Sequence, residues 1–504
     1  MSQTVKSIVE YGSSGVVVDV ECHLTNSLPI VVIVGLGTKA VDESKERVRS
    51  AFASSDLSLP RKRITINLAP ADLPKDSSSF DLAIATAILV ASDQVKNLAI
   101  DKSIIIGELG LDGTVRGVRG VIGKILAGRE LGFKRFYVPL ANLAQAMLVP
   151  EVTIVAVPSL RDLYLDLTDT VKLKQRVSGN VKINHHQLHD NDFSEVVGQG
   201  MAKRALEIAA AGGHNILLNG PPGTGKSMLA KALPSILPEL SNEEILEVTH
   251  LHSLGSRNYE KIITARPFRA PHHSASNVSI VGGGSHPKPG EVSLSHHGVL
   301  FFDELPEFTK QTLEALRQPL EDRFITVARA QDSLTFPASF IFVATANPCP
   351  CGYFGTSKAC VCLPTQIIKY QHKLSGPILD RIDLYVNVDE VEHAKLLDKN
   401  QAEPSSNIRQ RVVAAKQRQT ARYDSKLKSN ANLTNRDIKK SVNLADNAKQ
   451  LLDQAAAKLD ISARSYIRVV KVARTIADLD NSNEINTNHI TEALQYRRPI
   501  TTII

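Results

Sequence analysis

Gly220-Pro221-Pro222-Gly223-Thr224-Gly225-Lys226-Ser227 is a complete G-x-x-x-x-G-K-S loop. The apolar run Asn215-Ile216-Leu217-Leu218-Asn219 precedes it and reads as a buried strand, and Met228 to Leu233 reads as a helix start. Strand, loop and helix in that order are the context a phosphate loop needs. Its glycines turn backbone N–H groups inward, and the helix N-terminus adds partial positive charge. Lys226 is positioned to reach the β- and γ-phosphates of a nucleoside triphosphate, and the Ser227 hydroxyl to hold Mg²⁺. The whole stretch from Gly220, Pro221, Pro222, Gly223, Thr224 and Gly225 to Ser227 is therefore the expected nucleotide cradle.

Two further apolar strands end in polar groups downstream. Gly298-Val299-Leu300-Phe301-Phe302-Asp303-Glu304 closes on two carboxylates. Asp303 suits Mg²⁺ binding, and Glu304 suits orienting and deprotonating an attacking water. Ser339 to Thr345 leads to Ala346-Asn347, and Asn347 at a strand end can hydrogen-bond a γ-phosphate. An ordinary turn Asn is the bland alternative.

In this order the three strand ends resemble the AAA+ ATPases. Arg266-Pro267-Phe268-Arg269-Ala270-Pro271-His272-His273-Ser274, Leu294-Ser295-His296-His297-Gly298 and Ser375 to Asp383 resemble its magnesium-chelatase-type branch. Asn347-Pro348-Cys349-Pro350-Cys351-Gly352 and Ala473 to Leu479 are similar to the YifB/ComM group, and the likeness spans nearly the whole chain. It implies an α/β multidomain protein. Residues 1–170 would form a Lon-protease-like domain, 171–192 a linker, 193–392 the AAA+ core and 393–504 a helical lid. It also implies that Arg381 is an arginine finger entering a neighbour's site and that Arg464 is a lid sensor for the γ-phosphate. Both roles require a ring, expected to be a hexamer. Within the core, the Arg266 to His297 segment would face the ring pore, with Arg266 and Arg269 as phosphate contacts, and so would a hairpin over Ile325 to Phe336 with Arg329 near its tip.

Cys349, Cys351, Cys360 and Cys362 form a compact set that suits a tetrahedral structural Zn²⁺, although C-x-C departs from the usual C-x-x-C; reduced free thiols are the alternative. Near the N-terminus, Pro74 to Asp81 resembles the Lon segment carrying the nucleophilic Ser, placing Ser79 there, and Gly113 to Lys124 resembles the segment carrying the Lys base. Ser–Lys chemistry needs both types. Yet Ser77, Ser78, Phe80 and Asp81 replace the small residues around the protease Ser, which disturbs an oxyanion site.

The chain has 504 residues with a net charge of +7, and 43% hydrophobic content is ordinary for globular protein. No apolar run reaches membrane length and Met1 to Glu10 has no signal-peptide core, so a cytoplasmic protein with no membrane partner is expected. Between His393 and Asp480 stand 18 Lys/Arg against 9 Asp/Glu, which suits a polyanionic partner. The resulting expectation is an ATP-hydrolysing ring motor on branched or single-stranded DNA, with branch migration in natural transformation implied by the resemblance. An ATP-dependent peptidase using Ser79 and Lys124, or a chelatase-type metal-insertion motor, are the rivals.

Overall fold

The computed structural model describes residues 3–11, 14–35, 39–71, 78–96, 100–179, 191–255, 258–284, 287–328, 333–373, 376–390, 403–425 and 428–497. These fall into two units. The first comprises residues 1–184 together with 241–264, the second residues 185–240 together with 265–504.

An eight-stranded mixed sheet forms the first unit. Its order runs from Gln175–Val177 through Thr153–Val157, Arg135–Pro139, Ser103–Ile105, Gln3–Tyr11, Ser14–Thr25 and Arg63–Ala69 to Ile30–Val34. Strand Arg63–Ala69 alternates strictly, with Ile64, Ile66 and Leu68 buried, as one half-covered face requires. Helix Asp81–Ala91 has no polar face and is buried from Asp81 to Val90, so it forms the centre of this unit's core.

Two boundaries differ from the sequence reading. The stretch 171–192, expected as a linker, contains edge strand Gln175–Val177, paired antiparallel with Thr153–Val157. All three of its residues are exposed, so no hydrophobic pattern announces the pairing. Residues 180–190 lie outside the described residues. Residues 241–264, expected within the ATPase core, belong instead to the first unit. Helix Asn242–Gly255 seats on helix Val121–Glu130, where a Cβ at Gly123 would come within 2.5 Å of the His250 ring. Tyr259 Oη donates to Gly117 O at 3.1 Å, and Gln145 Nε2 donates to Tyr259 O at 2.7 Å. The buried residues of Asn242–Gly255 include Thr249, His250 and Ser253 beside Ile245, Val248, Leu251 and Leu254.

The second unit is built on a five-stranded parallel sheet, ordered Phe268–Arg269, Val299–Phe302, Ile341–Ala346, Ile216–Asn219, Leu384–Asn387. The first strand in the chain thus lies between the fourth and the fifth. All four residues of Val299–Phe302 and all six of Ile341–Ala346 are buried, as a sheet covered on both faces demands. Helices Ser405–Tyr423, Asp446–Lys458, Ala463–Leu479 and Thr487–Gln495 follow, and they share one apolar core with the sheet. Asp478 ties two of them, Ser405–Tyr423 and Ala463–Leu479, to each other. Its carboxylate accepts from Arg474 at 3.0 Å, from Asn430 at 2.8 Å and from Arg422. Helix Asp81–Ala91 and this C-terminal helical region together with the two sheets make the α/β multidomain architecture that the sequence predicts.

Candidate nucleotide site

Register brings the site together. Parallel pairing aligns Asn219 with Ala346 and Phe302 with Ala344, so Gly220, Asp303 and Asn347 all emerge at the carboxyl edge of the sheet. Gly220 N donates to Ala346 O at 3.1 Å across that edge. Strands on either side of Ile216–Asn219 come from later in the chain, the arrangement at which open α/β sheets form their ligand crevice.

Gly223 and Gly225 sit at φ +81° and +85°, where a side chain would be strained, and they fold the loop around the start of helix Lys226–Ala232. Lys226 is only 8% exposed. Its Nζ donates to Gly220 O and Pro221 O, both at 2.7 Å, and to Asn347 Oδ1 at 3.2 Å. Burial lowers its pKa, while Asp303 and Glu304 pull it back up. The ammonium is therefore fixed between the loop and the strand end bearing Asn347.

Ser227 Oγ donates to both Asp303 carboxylate oxygens, at 3.2 and 3.1 Å. A hydroxyl beside a carboxylate at a phosphate loop is a hard oxygen pair that fits Mg²⁺, which binds one or two protein oxygens and completes its shell with water and phosphate. Thr345 Oγ1 holds the carboxylate from the other side, 2.6 Å from Asp303 Oδ1, and accepts from Glu304 N at 2.9 Å. Glu304 itself has φ 54° and ψ 57°, left-handed backbone that costs a non-glycine residue roughly 1–3 kcal/mol. That conformation leaves its carboxylate exposed beside the crevice. Thr345 lies in the strand read from sequence, but its role needed the strand register.

Arg381 and Arg464 are gathered elsewhere in the same unit. Both pair with Glu321, Arg464 at 3.6 Å. They line a cleft of about 750 Å³ with Arg323, Asp383, Arg468 and Lys471, and among the described residues no member of the phosphate loop lines it. Asn215, the residue before the phosphate-loop strand, donates to Arg381 O at 2.8 Å and accepts from Phe342 N at 3.0 Å. Burial would raise the Asp383 pKa, but hydrogen bonds from His214 and Asn215 and the charge of Arg468 hold it below its usual range. Neither Asn215 nor Glu321 carries a motif that sequence reading can detect.

The four cysteine sulfurs lie within 4.8 Å of one another, a set compatible with structural zinc. Arg266 and Arg269, read as phosphate contacts, are engaged internally. Arg266 donates to Pro238 O at 2.5 Å and His297 O at 2.7 Å, and Arg269 pairs in two-pronged fashion with Glu291 at 2.5 and 2.6 Å. The hairpin expected over Ile325 to Phe336 is present as Phe324–Ala328 against Ser333–Pro337; Arg329 lies outside the described residues. In the first unit, Ser79 is wholly buried and Lys124 is 1% exposed.

A phosphate loop, a strand-end carboxylate pair and a strand-end Asn on a parallel sheet followed by a helical region define an AAA+ nucleotide site. Family models described as magnesium chelatase, subunit ChlI, subunit ChlI of Mg-chelatase, and magnesium chelatase, subunit ChlI C-terminal match residues 192–396, 20–142 and 402–497. The chain is 41% identical over 502 residues to competence protein ComM of Haemophilus influenzae, covering 98% of this chain and 97% of that one. It is 42% identical over 484 residues to YifB of Escherichia coli, covering 95% and 94%. A magnesium-chelatase subunit ChlI of Olisthodiscus luteus is 22% identical over 329 residues, covering 60% and 87%. The chain belongs to the YifB/ComM family of magnesium-chelatase-like AAA+ proteins. That family implies nucleotide and Mg²⁺, and its wider class commonly assembles into rings. Among the described residues, no helix is long and apolar enough to cross a membrane.

Proposed function

We propose that this chain hydrolyses ATP and that a ring of its copies, of hexameric size, uses the turnover to remodel branched or single-stranded DNA. One observation carries the reading: Lys226, Ser227, Asp303, Glu304 and Asn347 converge at one sheet edge, while Arg381 and Arg464 gather in a separate cleft. A site divided in this way is completed by apposing two copies.

In this reading Lys226 neutralises the β- and γ-phosphates, and Ser227 and Asp303 hold Mg²⁺. When bound, the cation supplies charge neutralisation on the phosphate oxygens. Glu304 orients and deprotonates the attacking water, with Asn347 hydrogen-bonding the γ-phosphate. Arg381 stabilises charge on the transferring group of a neighbour's nucleotide, and Arg464 senses that group from the lid. The four cysteines hold a structural Zn²⁺.

Two things support DNA as the partner. One is the relative named as a competence protein, which supports natural transformation as the setting; branch migration is the step we assign within it. The other is the excess of 18 Lys/Arg over 9 Asp/Glu between His393 and Asp480. Several of those cations are paired internally, such as Arg411 with Glu207 and Glu403, but Arg436, Lys439 and Lys440 border an open surface groove. The peptidase reading is disfavoured because Ser79 and Lys124 are 0% and 1% exposed. The deciding assay is ATP turnover with single-stranded, duplex and four-way-junction DNA. Junctions should stimulate it and Lys226→Ala should abolish it. If no DNA binds or stimulates while a protein substrate does, the DNA reading fails.

A further inference from the structure

The cysteine cluster does not stand apart from the nucleotide site. Its first ligand, Cys349, is two residues beyond Asn347, whose Oδ1 accepts from Lys226 Nζ at 3.2 Å. Sulfur separations are 3.4 Å for Cys349–Cys351, 3.8 Å for Cys349–Cys360 and 3.6 Å for Cys351–Cys360. Four sulfurs at ~2.3 Å around one tetrahedral Zn²⁺ stand about 3.8 Å apart. A disulfide would bring a pair to about 2.05 Å. The spacing is therefore that of a coordination shell. Backbone donors complete it: Cys351 N points to Cys362 Sγ at 3.4 Å and Phe354 N to Cys349 Sγ at 3.3 Å. Amide donors to the sulfurs favour thiolates and orient them on a metal.

Gly352 closes this knot against the phosphate loop. It sits at φ +87°, and a Cβ placed on it would come within 2.5 Å of Pro222 Cδ and 3.1 Å of Pro222 Cγ. At the loop tip, by contrast, a Cβ on Gly223 or Gly225 would meet nothing within 4 Å. On the far side, Gln371 Nε2 donates to Pro348 O at 3.2 Å and anchors the segment to helix Pro364–Lys373.

We infer that the four-thiolate site is a metal-dependent brace for the nucleotide site, holding residues 347–352 so that Asn347 meets Lys226 and Gly352 backs Pro222. Metal occupancy thereby sets the affinity for MgATP. This rests on the nucleotide and zinc readings above and adds the mechanical link between them.

The test uses the full-length protein and three readouts: zinc per chain, affinity for a fluorescent ATP analogue with Mg²⁺, and thermal melting. Wild type should carry one zinc per chain. Cys360→Ser, and wild type stripped by a chelator, should lose zinc and bind the analogue about tenfold more weakly, a loss on the scale of a displaced binding group. Gly352→Ala should keep its zinc and still bind more weakly, because it moves the contact and leaves the ligands alone. If Cys360→Ser does not fold, the chelated wild type and Gly352→Ala decide the question. Wild type that binds the analogue but carries no zinc overturns the metal site. Zinc-free protein, or Gly352→Ala, with unchanged affinity overturns the brace. Wild type that binds no analogue overturns the nucleotide reading itself.

Discussion

Each unit of this protein buries one lysine that sequence reading marks as chemical, and the two lysines are buried differently. Lys226 lies among acceptors, bonded to two loop carbonyls at 2.7 Å and to Asn347, with Asp303 and Glu304 raising its pKa against the effect of burial. Lys124 is 1% exposed, and desolvation pushes its pKa down with the charge of Glu10 as the counterweight. Its helix also carries Gly123, against which His250 is seated. Ser227 next to Lys226 reaches Asp303, whereas Ser79 is wholly buried. Both units contain the residue types their motifs call for. Only the second opens them onto a crevice at a sheet edge, where a substrate can enter. Residue identity and spacing are necessary for a site; access and converging partners make one.

The comparison can be broken most directly at the lysines. Lys226→Ala should abolish ATP turnover, whereas Ser79→Ala should leave it unchanged. A fluorophosphonate probe that labelled wild type but not Ser79→Ala would restore the first unit as a catalytic centre. Next in size, Arg381→Ala should bind nucleotide normally and lose about 10³-fold in turnover, as arginine fingers do. Mixing it with Lys226→Ala chains should recover some activity, and recovery at no ratio would place Arg381 outside a shared site. Glu304→Gln should retain nucleotide affinity and fall by about 10²-fold or more, the loss expected of a missing general base. Unchanged hydrolysis would remove that role.

Smaller effects sharpen the contrast in the first unit. Gly123→Leu must displace the His250 ring, so it should destabilise that unit by about 1–3 kcal/mol, the usual cost of overpacking. Melting and nucleotide binding measured together separate the two: a lower melting transition with normal nucleotide affinity is expected. A pH-linked effect, silent at neutral pH, comes from Cys22, whose thiol burial pushes up to about 12 from the ordinary 9.0. Between those values the unfolded chain has lost a proton that the folded chain keeps. Stability from this group is thus complete below pH 9 and is lost as pH rises toward 12, at about 1.4 kcal/mol per pH unit. Native protein at pH 8.5 should leave Cys22 unalkylated, and rapid labelling there would contradict its burial.

What the amino-acid order determined by itself were features whose physics is local. Glycines at 223 and 225, a lysine and hydroxyl opening a helix, and carboxylates closing a continuous apolar run need only their neighbours in the chain, and the structure places all of them at one edge. Tertiary structure alone decided the partners. Thr345 between Asp303 and Glu304 depends on strand register, and Asn215 on Arg381 depends on a segment more than 160 residues away. Glu321 pairing both arginines, residues 241–264 seating on the first unit and Gly352 backing Pro222 are likewise contacts between distant segments. Hydrophobic periodicity states that a face must be covered and charge states that an ion must be paired. Neither names the residue that does it, because that choice is made by which distant elements the fold brings within a few ångströms.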